Sequence, residues 1–323
     1  MSQSFNLVFC GTPRFAVPTL EKLVEAGFRI QLVVTQPDKP RGRGMEFAQS
    51  PVKQRALELG LQVVQPDKIK NNEEFRSQIA SLKPDAIVVV GYGRLIPQWM
   101  IDLPPLGNIN LHGSLLPKYR GAAPIQWAIA SGETVTGVTT MKIDSGLDTG
   151  DILLQKDIPI EPTDTAETLA PRMATIGADL MSDTLHGLRT GTVHPTRQDH
   201  SKVSLAPILK KEDGEIDFHR SAEEICNRLR GFQPWPGAYT SFRGKNLQVW
   251  DAKPLQRVLN EAELVLEADR LIVGCGKGTA LEPHVVQPEG KKRMAARDFV
   301  HGYRPESGER LGAKNIPPPT TRN

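Results

Sequence analysis

Five consecutive apolar residues, Ala86–Val90 (AIVVV), constrain the fold of this chain more than any other segment. A strand that is apolar at every position has both faces buried, which is typical of parallel sheets covered by helices. A second apolar run, Phe5–Cys10, ends at Gly11, and apolar residues at helical spacing follow over Phe15–Ala26. These segments predict that the chain begins as a parallel α/β sheet.

Strands and helices continue to alternate toward the middle of the chain. Further strands are predicted at Ile30–Thr35, Val63–Val64, Asn108–Leu111, Gly137–Ile143 and Ile152–Ile160. Further helices are predicted at Pro51–Leu59, from an N-cap at Asn71 through Leu82, near Leu95–Ile101, at Ala122–Ser131 and at Thr165–Leu188. This alternation indicates an α/β fold with a Rossmann-like, doubly wound and mostly parallel sheet.

The pattern changes at Ile208, where short strands follow a helix near Ser221–Leu229. The predicted strands are Tyr239–Phe242, Leu247–Ala252, Glu263–Glu267, Leu271–Gly274 and His284–Gln287. Such spacing favours a small, OB-like β-barrel. We therefore expect a catalytic domain over residues 1–189, a polar linker over 190–207, a β-barrel domain over 208–313 and a disordered, Pro-rich tail over 314–323.

Composition and charge exclude several classes of protein. No stretch approaches the roughly 18 apolar residues of a membrane span, and no basic segment precedes the first apolar run, so we expect a cytoplasmic protein. Three cysteines without a CxxC pair predict reduced core thiols and no thiolate metal site. From Ile208 onward there are 19 Lys and Arg against 16 Asp and Glu, a surplus equal to the whole net charge of +3. This surplus weakly favours an anionic partner for the second domain.

Asn110 and His112 are the first candidates for chemistry. They are two residues apart at the exit of a predicted parallel strand, so their side chains share one face where α/β sheets bind ligands. An amide and an imidazole side by side can stabilise a developing oxyanion. The alternative is that Asn110 shapes a strand-end turn and His112 is packed there, and this segment alone does not choose between the two.

A carboxylate could complete the site from the segment SGLDTGDI. Asp148 lies there between two glycines, and a loop of this kind would let its side chain approach His112 and stabilise the charged imidazolium. Asp148 is also what an ordinary turn would contain. Asp144 and Asp151 compete with it, and spacing alone leaves the choice open.

Other motifs narrow the chemistry further. The first strand is followed by GTPRFA, with neither a GxGxxG fingerprint nor a Walker motif, so dinucleotide and ATP binding are not supported. No histidine pair has metal-ligand spacing. The loop Gln36–Ser50 carries KPRGR and is long enough to suggest a function. Trp235 is either an exposed stacking platform or, in our preferred interpretation, an aromatic packed in its turn.

Taken together, several segments resemble the methionyl-tRNA formyltransferases. The resemblance is carried by NINLHGSLLPKYRGAAPIQWA, TGVTTM and DSGLDTGDIL, with FCGTPRFA, TQPDKPRGRG, VVVGYGRLIP, GFQPWPGAY and GKKRMAARDF in the expected order. It covers roughly residues 5–313. The block at 108–152 is shared with other 10-formyltetrahydrofolate-dependent transferases, whereas the basic loop and the second domain point to the tRNA enzymes.

The resemblance implies a formyl transfer from 10-formyltetrahydrofolate, without a metal, to the amino group of methionine on initiator tRNA, by a protein expected to be a monomer. It implies the catalytic residues Asn110, His112 and Asp148. It implies folate contacts at Ser114, Leu115, Leu116 and Pro117, with Arg94–Ile96 lining the same pocket. It implies tRNA contacts at Arg41, Arg43, Lys291, Lys292 and Arg293. The segment MEFAQSP is less basic than the family pattern, and the tail over 314–323 has no recognisable counterpart.

Three other functions remain to be compared with this one. A formyltransferase for a small amine, such as glycinamide ribonucleotide or an amino sugar, would keep the same three residues but would need neither the basic loop nor the second domain. A non-catalytic tRNA-binding protein would not require Asn110, His112 and Asp148 together. An NAD-dependent oxidoreductase is suggested only by the Rossmann-like start, and the missing glycine fingerprint disfavours it.

Overall fold

The computed structural model describes residues 5–41 and 46–312 of the chain, which divide into two compact units. The first unit contains the residues up to Pro124, Val135–Pro159 and Thr168–Pro207; the second contains Ile125–Thr134, Ile160–Glu167 and the residues from Ile208 onward. The expected linker over 190–207 therefore groups with the first unit, and two stretches of the expected catalytic domain group with the second. The tail over 314–323 lies outside the described residues.

The first unit is built on a seven-stranded sheet. The elements up to residue 207 are β1 (Asn6–Gly11), α1 (Val17–Glu25), β2 (Arg29–Val34), β3 (Lys39–Arg41), β4 (Glu46–Ala48), α2 (Pro51–Glu58), β5 (Val63–Val64), α3 (Glu73–Ser81), β6 (Ala86–Val90), α4 (Gln98–Ile101), β7 (Asn108–His112), β8 (Arg120–Gly121), α5 (Pro124–Ala130), β9 (Val135–Lys142), β10 (Ile152–Pro159), α6 (Ala166–Thr190) and β11 (Leu205–Ala206). The strand order is β10-β9-β7-β6-β1-β2-β5. Strands β7, β6, β1, β2 and β5 are parallel to one another, whereas β9 is antiparallel to β7 and β10 is antiparallel to β9. This confirms the predicted Rossmann-like sheet.

Strand β6 lies at the centre of this sheet, between β1 and β7. All five of its residues are buried, and each large apolar side chain buried in this way contributes about 1.5–3 kcal/mol. One face of the sheet packs on a cluster of buried side chains, namely Val8, Cys10, Leu32, Val34, Ile69, Phe75, Ile79, Ile87, Val89, Tyr92 and Met100. This core therefore packs against the central strands, and the candidate site lies at the carboxyl ends of such strands.

Two predicted helix starts were wrong. The N-cap of α3 is Asn72, whose Oδ1 accepts the N–H of Phe75 at 3.0 Å, whereas Asn71 lies outside the helix with φ of 58°. The helix predicted from Leu95 begins only at Gln98, with Pro97 as its N-cap. The residue before a proline is disfavoured in the helical region, which explains the later start.

The second unit is dominated by an antiparallel sheet. Its remaining elements are α7 (Ala222–Gly231), β12 (Ala238–Phe242), β13 (Lys245–Leu255), β14 (Leu264–Glu267), β15 (Arg270–Cys275), β16 (Thr279–Pro288), β17 (Met294–Ala295) and α8 (Ala296–Tyr303). The strand order is β12-β13-β16-β15-β14, with β17 paired to β16. This confirms a separate β-rich unit. Within the described residues no pairing joins β12 to β14, so closure into a barrel stays a prediction.

The second unit has its own core around α7 and α8. Its buried side chains are Phe218, Ala222, Ile225, Cys226, Phe242, Leu247, Ala262, Leu264, Leu271, Val273, Cys275, Leu281, Val286, Phe299 and Leu311. All three cysteines of the chain are buried and free, as expected, and burial raises the pKa of the Cys226 and Cys275 thiols to about 12. In the described part of the chain, no helix combines the length and apolarity needed to cross a membrane.

Candidate active site

Strand β7 places Asn110 and His112 on one face near its carboxyl end. It pairs in parallel with β6 and antiparallel with β9, and Asn110 lies opposite Val89 and Met141. His112 is 5% exposed, whereas Asn110 is half-buried. Within residues 5–41 and 46–312, the Asn110 amide has no hydrogen-bond partner, so it is available to a substrate.

The His112 ring is oriented by a main-chain carbonyl. Its Nε2 lies 2.9 Å from the oxygen of Tyr119, and because a carbonyl only accepts, Nε2 carries a proton. Its Nδ1 lies 3.7 Å from Oδ2 of Asp148, which is longer than a hydrogen bond. Nδ1 is therefore uncommitted, while a carboxylate stands close enough to stabilise the protonated ring.

The carboxylate beside His112 belongs to Asp148, not to its two competitors. Its Oδ2 accepts the main-chain N–H of Gly121 at 2.9 Å. Asp144 is exposed and its Oδ1 accepts hydrogen bonds from Gly146 N and Thr149 Oγ1 instead. Among the described residues Asp148 is the aspartate with a contact to His112, and its catalytic role stays a prediction.

Gly121, whose N–H contacts Asp148, lies where the backbone leaves no room for a side chain. It lies in β8, which pairs in parallel with β11, and its φ is 126°. A Cβ atom there would stand 2.5 Å from the carbonyl oxygen of Ala206. The close approach of these two backbones directs the Gly121 N–H toward Asp148, a contact that the sequence analysis did not foresee.

Two further polar side chains that the sequence analysis missed support the Asp148 loop. Gln198 Nε2 donates to the carbonyl oxygens of Asp148 at 2.9 Å and Gly150 at 2.7 Å. Gln198 Oε1 accepts two hydrogen bonds from the Arg120 guanidinium, at 3.0 and 2.6 Å. No pattern marks Gln198, because the segment around it is polar and aperiodic.

The four predicted folate contacts form a compact turn after β7. Ser114 is fully buried and its hydroxyl donates to the carbonyl of Lys118, so this hydroxyl shapes the turn. Leu116 is buried as well, and its N–H donates to Thr139 Oγ1 at 3.1 Å. Leu115 and Pro117 are half-buried. An apolar molecule would therefore reach this turn through Leu115 and Pro117 more readily than through Ser114.

The stretch Arg94–Ile96 lies after β6, at the same edge of the sheet. The Arg94 guanidinium donates to the carbonyls of Pro66 and Asp67 at 3.0 and 2.6 Å. Leu95 is 85% exposed, and Ile96 packs against the core of the first unit. Leu95 is therefore an apolar side chain left open to solvent near the exits of the central strands.

The basic loop contains a hairpin, which corrects the expectation of an irregular loop over Gln36–Ser50. Strands β3 and β4 pair antiparallel, with Arg41 opposite Glu46. Three-residue strands containing Pro40 carry no strand signal in the sequence. Arg41 lies in β3, and Arg43 lies outside the described residues.

Hydrogen bonds connect the residues that flank this hairpin to other parts of the first unit. Asp38 accepts hydrogen bonds from Lys53 at 2.6 Å and Gln65 at 2.8 Å. The Lys53 ammonium, followed by the Gln65 amide, lowers the pKa of the Asp38 carboxyl. Thr35 and Ser50 hydroxyls lie 2.8 Å apart at the two ends of the segment. Hydrogen bonds therefore hold both ends of the segment that contains the hairpin.

Lys291, Lys292 and Arg293 lie between β16 and β17 in the second unit, and all three are exposed. The Arg293 guanidinium stacks on Trp250, 3.2 Å from the ring centroid, which fixes its direction. Trp235 is 56% exposed, so the preferred interpretation of a packed turn aromatic was wrong. The second unit thus presents both cations and an aromatic ring to solvent.

Outside the predicted site residues, the described part of the chain indicates no further ligand site. In the described part of the chain, no group of three or more His, Cys, Asp or Glu side chains could hold a metal ion. A cleft of about 560 Å³ lies within the second unit and contains none of the predicted site residues. Two ion pairs, His219 with Glu261 and Arg220 with Asp217, lie in its lining, and we assign it no ligand.

Comparison with known proteins decides the family. The family model described as formyl transferase matches residues 5–185, and the one described as formyl transferase, C-terminal domain, matches residues 208–304. The chain belongs to the formyl transferase family. This formyl transferase is 66% identical, over 95% of its length and 98% of the relative, to the methionyl-tRNA formyltransferase of Koribacter versatilis. It is 59% identical to that of Acidobacterium capsulatum, over 95% of its length and all of the relative.

Solved structures of the formyl transferases share the fold. The sugar 3N-formyl transferase WlaRD superposes with a TM-score of 0.65 at 18% identity, covering 90% of this chain and all of that one. An N-formyltransferase from Helicobacter canadensis gives the same TM-score at 20% identity, covering 88% of this formyl transferase and all of its own chain. At such identities the likeness concerns the fold alone.

Proposed function

We propose that this formyl transferase moves a formyl group from 10-formyltetrahydrofolate to the amino group of methionine on initiator tRNA, at Asn110, His112 and Asp148. The observation that carries the proposal is the Asp148 carboxylate 3.7 Å from the His112 Nδ1, at the end of the strand that also carries Asn110 two residues earlier. Relatives of the same length that are named methionyl-tRNA formyltransferases support the identity of the acceptor.

Asn110 and His112 stabilise negative charge on the formyl oxygen. The Asn110 amide donates from one side and the His112 Nδ1–H from the other, since Nε2 is held by the Tyr119 carbonyl. Donors that are already oriented lose little by reorganising as charge develops, so they lower the barrier directly. The Asp148 carboxylate lies 3.7 Å from Nδ1, where it stabilises positive charge on the His112 ring without competing for Nδ1 at hydrogen-bond distance.

Asp148 also transfers the proton that the acceptor amine must lose. An α-amino group has a pKa of about 8, so a useful fraction is neutral near pH 7 and attacks the formyl carbon without an enzyme nucleophile. The amine adds to the formyl carbon to form the new C–N bond and an oxyanion, and when this tetrahedral intermediate collapses the C–O double bond re-forms and the bond to N10 of the folate breaks. Asp148 accepts the proton from the amine, through water, and returns it to N10.

The turn after β7 and the exposed Leu95 fit the folate. The half-buried Leu115 and Pro117 and the exposed Leu95 are apolar surfaces suited to a flat heterocycle. When bound, the co-substrate supplies an activated formyl group at N10. The buried Ser114 hydroxyl and Leu116 maintain the shape of this turn from behind.

Two basic surfaces are proposed to hold the tRNA. One is the basic segment of the first unit that includes Arg41 in β3 and, in the sequence, Arg43; the other is formed by the exposed Lys291, Lys292 and stacked Arg293 of the second unit. Phosphates supply most of the affinity for a nucleic acid, so cations on both units suit a long acceptor. We accordingly propose residues 1–189 as catalytic and 208–313 as tRNA-binding.

One chain supplies every group of the proposed site, so we propose that the enzyme acts as a monomer, in the cytoplasm where charged tRNA is used. The function is tested by incubating the protein with 10-formyltetrahydrofolate and, in parallel, methionyl initiator tRNA, glycinamide ribonucleotide or an amino sugar nucleotide. Formyl-methionyl-tRNA is the expected product. Formylation of a small amine instead would reassign the substrate, and formation of no product would refute the proposal.

A further inference from the structure

Two buried polar side chains, Arg120 and Gln198, lie behind Asp148 and take no part in the chemistry assigned to the triad. Arg120 is 6% exposed and Gln198 is 5% exposed. A buried guanidinium is costly unless its hydrogen bonds are satisfied, and here both Nε and Nη2 donate to the neutral Gln198 Oε1. A buried cation joined to an amide rather than to a carboxylate calls for an explanation.

The pair fixes which way the amide faces. Only the Oε1 atom of Gln198 can accept from a guanidinium, so the NH₂ group must point in the opposite direction. There it donates both of its hydrogens to the carbonyl oxygens of Asp148 and Gly150, at 2.9 and 2.7 Å. Arg120 thus orients the amide, and the amide holds the backbone on both sides of Thr149.

Asp148 needs such support because its backbone is strained. Its φ of 51° lies in the left-handed region, which costs a non-glycine residue free energy unless the surroundings enforce it. With the peptide planes held by Gln198, the Asp148 side chain lies beside Gly121, whose N–H donates to Oδ2 at 2.9 Å. The carboxylate is placed 3.7 Å from His112 by this chain of contacts.

The same segment of the chain also touches the other side of the site. Ser204 Oγ accepts the N–H of Tyr119 at 2.9 Å, and the Ser204 carbonyl accepts the N–H of Arg120. Tyr119 is the residue whose carbonyl orients His112. Residues 196–206, expected to be a mere linker, therefore brace both partners of the His112–Asp148 pair.

We propose that Gln198, oriented by Arg120, is a positioning residue that sets the Asp148 carboxylate relative to His112. The inference rests on the proposed roles of Asp148 and His112. Loss of the Gln198 amide should therefore slow the transfer step and leave the binding of both substrates unchanged, because its hydrogen bonds go to Arg120 and to the Asp148 loop rather than to the proposed substrate-binding residues.

The sharpest test is Gln198→Glu, with Arg197→Gln at the exposed neighbouring position as the matched control. The new carboxylate has the shape of the amide and pairs with Arg120, so the interior stays paired and the chain folds. It has no hydrogens to donate, and it repels the carbonyl oxygens of Asp148 and Gly150. We expect kcat to fall about 10- to 100-fold, the cost of a displaced catalytic group, with both KM values within about twofold of the unmodified enzyme.

A second readout does not depend on catalysis. The Gly121 N–H is held by Asp148 Oδ2, so its hydrogen exchange in the free protein reports where the carboxylate stands. In Gln198→Glu we expect faster exchange at Gly121 and in peptides covering 144–151, with the rest of the sheet unchanged. Arg120→Lys, which keeps the charge but loses the two-pronged donation, should show the same pattern if Gln198→Glu folds poorly.

The outcomes are distinct. Unchanged exchange at Gly121, an unchanged kcat, or a general acceleration of exchange with kcat and KM altered together would each overturn the positioning role. If the unmodified protein transfers no formyl group at all, the proposed function fails, and the exchange at Gly121 still decides whether Gln198 positions Asp148.

Discussion

The Nδ1 atom of His112 and the Oδ2 atom of Asp148 lie 3.7 Å apart, close enough for charge stabilisation and too far for a hydrogen bond. Nε2 of the same ring is held at 2.9 Å by the carbonyl of Tyr119. The ring therefore turns one nitrogen, not two, toward a bound formyl group. This arrangement separates the role of charge, supplied by Asp148, from the role of donation, which His112 shares with Asn110.

Asn110→Ala removes one of the two donors to the formyl oxygen. We expect kcat to fall about 10²–10³-fold, the usual cost of losing one oriented donor to a developing oxyanion. Folding should not change, because in the described residues the Asn110 amide holds no other group. Steady-state kinetics with a thermal unfolding curve checks both statements, and near-normal turnover would remove Asn110 from the site.

Asp148→Asn keeps the size of the side chain and an acceptor oxygen for the Gly121 N–H, but it removes the charge beside His112. We expect a loss of at least about 10²-fold in kcat, since the imidazolium and the proton acceptor are both affected. Asp144→Asn is the matched control, because Asp144 is exposed and bonded within its own loop. Equal losses in the two variants would contradict the choice of Asp148.

Gly121→Ala tests the close approach of β8 and β11. The added Cβ would meet the Ala206 carbonyl at 2.5 Å, and φ of 126° is unfavourable for alanine, so we expect destabilisation of roughly 1–3 kcal/mol and loss of transfer. Gly191→Ala is the control: its φ is 72° but its surroundings are open, so about 1 kcal/mol of stability and no activity should be lost. Urea unfolding and the transfer assay measure both quantities. Full activity in Gly121→Ala would show that its N–H is not needed.

Neutralising a cation of the proposed tRNA surface should weaken binding in a salt-dependent way. For Lys292→Ala or Arg43→Ala, we expect a higher KM for charged tRNA and a slope of log affinity against log salt that is reduced by about 1. Folate binding should stay the same. Lys70→Ala removes an exposed lysine outside both surfaces and serves as the control. An equal loss of folate binding in Arg43→Ala would indicate a structural role for the hairpin.

The start of α7 should contribute a pH-dependent stability. The Lys277 ammonium, followed by the main-chain N–H of Ser221, lowers the pKa of Glu224 from 4.5 to about 2. Because the folded state binds the proton more weakly, the stabilisation is present above pH 4.5 and is lost as the pH falls toward 2.

Glu224→Gln should therefore destabilise the protein at pH 7, by about 1 kcal/mol at most since the pair is exposed and screened, and by less at pH 3. Glu223→Gln, at the exposed neighbouring position, should show no such difference. The measurement is the free energy of unfolding in urea at the two pH values. A larger effect at pH 3 than at pH 7 would contradict the assigned contact.

The sequence predicts what depends on local pattern. Strand β6 was predicted with its observed bounds, because a strand buried on both faces leaves an unbroken apolar run. The position of Asn110 and His112 on the same face of a strand was predicted from their spacing of two residues. The N-cap of α3 was predicted one residue too early. Asn71 and Asn72 are equally good caps in the sequence, and only the left-handed backbone of Asn71 excludes Asn71 as the cap.

Contacts between segments that are distant in the sequence could not be predicted. Gln198 is 50 residues from Asp148, in a stretch without periodicity, so nothing local indicates that its amide reaches that loop. The choice of Asp148 over Asp144 rests likewise on a contact with Gly121 across the fold. Trp235 shows the opposite error, since a turn between prolines left the ring 56% exposed where packing was expected.

The central claim is that one chain transfers formyl from folate to the amine of a methionyl-tRNA at Asn110, His112 and Asp148. It is tested most directly in a single turnover, with enzyme in excess over methionyl initiator tRNA and with 10-formyltetrahydrofolate carrying a labelled formyl group. We predict one labelled formyl-methionyl-tRNA for each tetrahydrofolate released. Release of tetrahydrofolate with free formate, or no release in the presence of methionyl-tRNA, would contradict the account.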